Sequence, residues 1–117
     1  MSKDIIWMGS SFDDIKKFPK DARKQAGHDL NRIKAGLPPN DWKTFSTVGP
    51  GTAEIRIKDA GNQYRVFYVA KFDDGIFVLH CFSKTTQKTS QHHIEVGKSR
   101  YKAMKKQMSD KTKRKSK

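Results

Sequence analysis

Glu54-Ile-Arg-Ile-Lys-Asp-Ala-Gly-Asn-Gln-Tyr-Arg-Val-Phe-Tyr-Val-Ala-Lys-Phe-Asp-Asp-Gly-Ile-Phe-Val-Leu-His-Cys-Phe-Ser-Lys84 is the stretch on which the fold turns. It divides into three strand-forming runs, Ala53–Ile57, Gln63–Lys71 and Ile76–Phe82, rich in β-branched and aromatic residues. Asp59-Ala-Gly-Asn62 and Asp73-Asp-Gly75 separate them, and both carry hairpin chemistry. Links this short require antiparallel neighbours, because parallel strands need long crossovers. The stretch is therefore read as a meander.

Cations are set into this meander. Glu54, Arg56 and Lys58 alternate with Ile55 and Ile57, so a period of two puts the charges on one face and the isoleucines on the other. Arg65 stands between Tyr64 and Val66 on the face it shares with Phe67 and Val69. His80, Phe82 and Lys84 share a register on the last strand. Cationic groups among apolar strands resist desolvation and repel one another, which argues for an anionic ligand.

On the N-terminal side, Ile5-Ile-Trp-Met8 fits an edge strand, the fourth of the sheet. Ser11 and Asp14 match a capping box for a short helix that ends near Phe18, with Ile15 and Phe18 inward. Pro19 restarts the chain into a second helix, in which Ala22, Ala26, Leu30 and Ile33 recur at helical spacing and Gly36 is placed as its cap. Leu37-Pro-Pro-Asn-Asp41 is a loop, and Trp42, Phe45 and Val48 are expected to anchor the long connection that follows. Beyond the meander, Ser90 caps a last helix with Ile94, Tyr101, Met104 and Met108 on one stripe. The fold class is α+β: an N-terminal helical hairpin packed on a small, mainly antiparallel four-stranded sheet, with a C-terminal helix.

The 117 residues fit one domain, assigned here to residues 1–108 with a basic tail over 109–117. Lys and Arg number 25 against 12 Asp and Glu, a formal +13, which makes nucleic acid the leading ligand. The tail is read either as a solvated end or as an added contribution to polyanion affinity. The single cysteine, Cys81, lies in an apolar strand, and this suits a buried thiol and a cytoplasmic location. No run approaches the roughly 18 apolar residues of a membrane span, so no membrane partner is expected.

Arg65 is open to two readings, phosphate contact through its planar fork or a structural salt bridge to Glu54. His80 is either a proton-transfer group or a core histidine, and Phe82 either stacks on a base or fills the core. Lys84, at the strand end, can swing over a phosphate. Glu54, Arg56 and Lys58 by themselves also fit an ordinary solvated face. No pair of histidines is expected to face one another across the sheet. No zinc spacing and no glycine-rich nucleotide loop occur, so neither metal nor cofactor is expected. Cleavage without metal is still open to RNA, whose 2′-hydroxyl is an internal nucleophile.

Several separated motifs occur in order: Trp7-Met-Gly-Ser-Ser11, Phe18-Pro19, Gly36-Leu-Pro-Pro-Asn-Asp-Trp-Lys43, Val48-Gly-Pro-Gly-Thr-Ala-Glu-Ile-Arg-Ile57, Tyr64-Arg-Val-Phe-Tyr-Val-Ala-Lys71 and Leu79-His-Cys-Phe-Ser-Lys84. Together they resemble the phage-derived Gp49-like branch of the RelE/HigB toxin superfamily, over roughly residues 5 to 105. The resemblance implies a RelE-like fold and a toxin of a type II toxin–antitoxin module. It implies an endoribonuclease that cuts mRNA on the ribosome, held in check by a cognate antitoxin, a helix-turn-helix protein being one class. It links Arg65 to the scissile phosphate and matches Arg56, Lys84 and His80 to family positions; on the preferred reading Arg56 and Lys84 stabilise developing charge, and Lys58 or His80 is the candidate for proton transfer. Lys43, Lys71, Phe82, Lys88 and Thr89 complete the expected RNA-binding set. Thr85 departs from the pattern, standing where a second lysine is expected. Two other functions stay open: a non-catalytic RNA-binding module, and an inactive toxin homologue that binds an antitoxin.

Overall fold

The computed structural model of the chain describes residues 3–84 and 89–115. Its elements in chain order are β1 (Ile5–Trp7), α1 (Ser11–Lys16), α2 (Lys20–Lys34), β2 (Trp42–Thr44), β3 (Thr52–Asp59), β4 (Asn62–Val69), β5 (Ile76–Lys84) and α3 (Gln91–Lys115). The meander is present as β3-β4-β5, antiparallel throughout. Its first turn is a two-residue hairpin: Asp59 pairs with Asn62, and Ala60 and Gly61 have φ of 50° and 82°. Both positive values are what a type I′ turn requires.

The sheet has five strands, in the order β1-β5-β4-β3-β2, rather than the expected four. The additional strand, β2, lies in what the sequence suggests is a plain connection. Three residues are too few to show an alternating pattern, and β2 pairs antiparallel with β3. At the other edge β1 runs parallel to β5 over Ile5–Trp7. Each free edge of the meander is thus partly covered by a three-residue strand.

Helices cover both faces. Against one, α1, α2 and the link between them pack Ile15, Phe18, Ala22, Ala26, Leu30 and Ile33 onto Ile55, Val66 and Val78. Against the other, Tyr101 and Met104 of α3 pack onto Phe67, Val69 and Phe77. Gly97 permits the close approach of α3, since a Cβ there would lie 3.0 Å from Val48 and 3.1 Å from Phe67. The helix continues as backbone to Lys115, through most of the segment read as a tail.

The helix ends follow local chemistry, with one exception. Gly36 (φ 82°) closes α2 in a Schellman arrangement, with Gly36 N–H donating to Ile33 O and Leu37 N–H to Arg32 O. Ser90 Oγ accepts from His93 N–H at the start of α3. Ser11 does not cap α1: it is buried, and its hydroxyl donates to Val78 O at 3.1 Å. Ser10 precedes the helix instead and donates to Asp14 Oδ2 at 2.7 Å. Trp42 also departs from expectation, being 43 % exposed, while Val48 is buried and Phe45 packs on Phe67. A place on an edge strand leaves the indole of Trp42 over the rim instead of in the core.

Candidate nucleic-acid interface

Side chains directly opposite one another across a sheet share a face, so strand register arranges this site in rows. One row runs Lys43, Glu54, Phe67, His80, and the next Arg56, Arg65, Phe82. The third is Lys58, Gln63, Lys84. All lie on the α3 side. A bulge makes this possible: Phe67 pairs with His80 but Tyr68 with Val78, leaving Leu79 as an extra residue. Without it, His80, Phe82 and Lys84 would continue the phase of Ile76 and Val78, which face α1 and α2.

Glu54, at 0 % exposure, is the hub of the site. Its Oε1 lies 3.7 Å from Arg65 Nε and 4.0 Å from Lys43 Nζ. Oε2 accepts from Thr89 Oγ1 at 3.3 Å, and Thr89 Oγ1 accepts from Lys84 Nζ at 3.2 Å. The amine of Lys84 and the guanidinium of Arg65 therefore converge on the same side of the sheet. Burial lowers the pKa of both; Glu54 opposes the shift, and each cation is pushed further down by neighbouring cations. Arg65 is 1 % exposed and donates from Nη1 to Tyr64 O and from Nη2 to Gln63 Oε1. The salt bridge of Arg65 to Glu54 is present. Exposed charge comes from the rim: Lys43 and Lys58 are exposed and Arg56 is half-buried.

A chain of hydrogen bonds crosses the neighbouring end of the face. Asp14 accepts from Ser10 Oγ, which accepts from Arg100 Nη2 at 2.9 Å. Arg100 Nη1 donates to Leu79 O at 3.1 Å and lies 3.4 Å from His80 Nδ1. His80 Nε2 is 2.9 Å from His93 Nδ1. Arginine can only donate, so His80 Nδ1 accepts and its proton sits on Nε2, directed at His93. Neutral His93 then carries its own proton on Nε2. Burial, then His93 and Arg100, bring the His80 pKa down to about 4, and burial also lowers His93. Phe82 stacks against both rings, with centroids 4.8 Å from His80 and 4.1 Å from His93. A cleft of about 390 Å³ opens beside them, bounded by Asp14, Lys17, Tyr64 and Ser83.

The family described as Phage derived protein Gp49-like matches residues 13–102. The chain belongs to the Gp49-like family. No curated protein matches it.

In this Gp49-like protein, Lys43, Arg56, Lys58, Arg65, His80, Phe82, Lys84 and Thr89 come together on one face. Lys71 does not join them. It lies beyond the opposite end of β4, with Nζ 5.0 Å from the Phe72 ring. Lys88 and Thr85 lie outside the described residues. Phe82 is 5 % exposed and closed into the histidine stack, so its ring is core rather than a platform on display. His80, 7 % exposed, has both ring nitrogens occupied by neighbours.

Sequence reasoning missed His93 and Arg100. It sought a histidine partner across the sheet, whereas the partner descends from the first turn of α3. The available signal was the Ser90 cap, which fixes where that turn begins. Among the described residues no group of three or more His, Cys, Asp or Glu is placed to hold a metal ion. No helix among them is long and apolar enough to cross a membrane. The Cys81 thiol is buried, and burial pushes its pKa well up, away from reactivity.

Proposed function

We propose that this Gp49-like protein is the toxin of a type II toxin–antitoxin module and an endoribonuclease acting on ribosome-bound mRNA in the cytoplasm. The observation that carries the reading is the joint placement of a cation ladder and a linked histidine pair on one sheet face. Arg56, Lys58 and Lys43 hold the RNA backbone from the exposed rim. Arg65 and Lys84, fixed around Glu54, supply positive potential from beneath.

In the reaction, the 2′-oxygen bonds to phosphorus as the bond from phosphorus to the 5′-oxygen breaks. The 2′-hydroxyl proton goes to a water molecule oriented by the RNA, and the leaving 5′-oxygen takes a proton. A 2′,3′-cyclic phosphate and a 5′-hydroxyl end result. His93 Nε2–H donates to a phosphoryl oxygen as charge builds there, and His80 positions that ring. The Lys58 ammonium is the candidate proton donor to the 5′-oxygen. Both histidines are held neutral near pH 7, so neither acts as an imidazolium acid. The cognate antitoxin, a helix-turn-helix protein being one class, is the expected inhibitor.

The test is mapping of 5′ ends on ribosome-bound mRNA with wild type, Arg56→Ala, Lys58→Ala and His93→Phe. New 5′ ends with wild type, lost in rim variants that remain folded and ribosome-bound, support the reading. Intact mRNA with confirmed ribosome binding overturns it. One observation favours a second reading, RNA binding without cleavage: Arg65 is 1 % exposed with its donors turned inward. Retained RNA affinity with no cut under any ribosome-containing condition would select that alternative.

A further inference from the structure

On the reverse side of the sheet lies a feature the RNA-binding face does not use. A trough of about 740 Å³ is bounded by Ile33, Leu37, Pro39, Trp42, Tyr68 and Ala70. A second hollow of about 490 Å³ shares Trp42, Tyr68 and Ala70 with it, so the two are adjoining lobes that meet at these residues. Trp42 pairs with Ile55 and Tyr68 with Ala53, and both partners belong to the core beneath α1 and α2. The trough therefore opens on the face opposite Arg56 and Arg65. Its banks carry two of the three large apolar side chains left exposed among the described residues, Leu37 at 50 % and Trp42 at 43 %.

We propose that this trough docks an amphipathic, acidic segment of a partner protein. Three lysines, Lys3, Lys34 and Lys71, stand among the residues bounding the two lobes, and no Asp or Glu does. The surface is thus apolar at its floor and positive at its rim, the complement of a segment with apolar residues on one side and carboxylates on the other. A second copy of this chain is a poor occupant, because it would bring the same lysines, and a formal +13, against their like. RNA is disfavoured by the floor: a sugar–phosphate backbone needs rows of donors, and those rows are on the opposite face. An exposed tryptophan beside pockets is the type of residue that dominates binding energy at protein interfaces. The inference is independent of RNA cleavage, and both faces can be occupied at once.

The experiment uses the full chain and a fluorescein-labelled synthetic peptide, with leucines at i, i+3, i+4 and i+7 and glutamates on the remaining surface. A control peptide keeps the glutamates and replaces leucine with serine. Fluorescence polarisation is read at physiological salt. Binding of the leucine peptide should weaken about tenfold or more in Trp42→Ala and in Leu37→Ala. It should weaken several-fold in Lys34→Glu and stay unchanged in Arg56→Ala. An RNA oligonucleotide should not displace it. Three results would each overturn the proposal. The first is equal binding of the serine peptide, which would reduce the effect to bulk charge. The second is sensitivity to Arg56→Ala with none to Trp42→Ala or Leu37→Ala. The third is displacement by the oligonucleotide together with weakened oligonucleotide binding in Trp42→Ala, which would make the trough a nucleic-acid surface.

Discussion

Glu54 and Arg65 meet diagonally across the β3–β4 ladder, Oε1 3.7 Å from Nε, both side chains 1 % exposed. Neither of these two atoms has a hydrogen-bond partner, so the link between them is coulombic. Desolvating both ions costs several kcal/mol, and mutual attraction offsets that only while both are present.

Replacing Glu54 by Gln leaves the guanidinium buried without its counter-charge and leaves one acceptor oxygen where the carboxylate had two. The expected loss is about 3–5 kcal/mol, read as urea midpoint at unchanged slope. Glu54→Gln combined with Arg65→Met should regain a substantial part of it, because the uncompensated charge is then gone. A double variant no more stable than Glu54→Gln would show that the pair is not coupled.

His80 gives the protein an acid-sensitive element. Its folded pKa, about 4, lies below the unfolded value near 6.5, so the unfolded chain binds the extra proton between them. The contribution to stability is fully present above pH 6.5 and is lost as pH falls toward 4. With allowance for solvent screening, the loss amounts to on the order of 1–2 kcal/mol. Thermal melts of wild type and His80→Gln across pH 4 to 7 should therefore differ in slope, with the variant flatter. Parallel curves would assign the acid sensitivity elsewhere.

The β3–β4 turn holds alanine at φ 50°, in the left-handed region that a Cβ disfavours. Asparagine tolerates that conformation and is frequent in type I′ turns. Ala60→Asn should raise stability by about 1 kcal/mol, seen as a higher melting temperature at constant pH. A neutral or negative change would mean the turn relaxes in solution.

If RNA lies along the rim, each cation there releases counterions on binding. Arg56→Ala and Lys58→Ala should each reduce the slope of log affinity against log salt by roughly one unit, measured on single-stranded RNA. Lys71→Ala, at the far end of β4, should leave the slope unchanged. Equal effects from all three would point to a diffuse field instead of a docking row.

Much of this structure was legible from residue order, because the relevant interactions are local. The two hairpin links, the Schellman glycine at Gly36, the Ser90 cap and the apolar stripes of α2 and α3 each depend on neighbours within a few positions. Alternation placed Arg65 with Phe67 and Lys84 with His80 and Phe82. What remained hidden depends on segments distant in the chain. The three-residue strand β2 acquires its structure from β3, which offers it hydrogen bonds, and the edge strand read at Ile5 to Met8 finds its parallel partner only in β5. Glu54 becomes a hub only when Lys43, Arg65 and Thr89 arrive from three other segments, 11 to 35 residues away in sequence. The His80–His93 contact and the trough beside Trp42 require the sheet to be closed by α3 on one side and by α2 on the other. Local propensity and pattern set which residues share a face; only the packing of remote elements decided which of those faces is sealed, which is charged and which is left open.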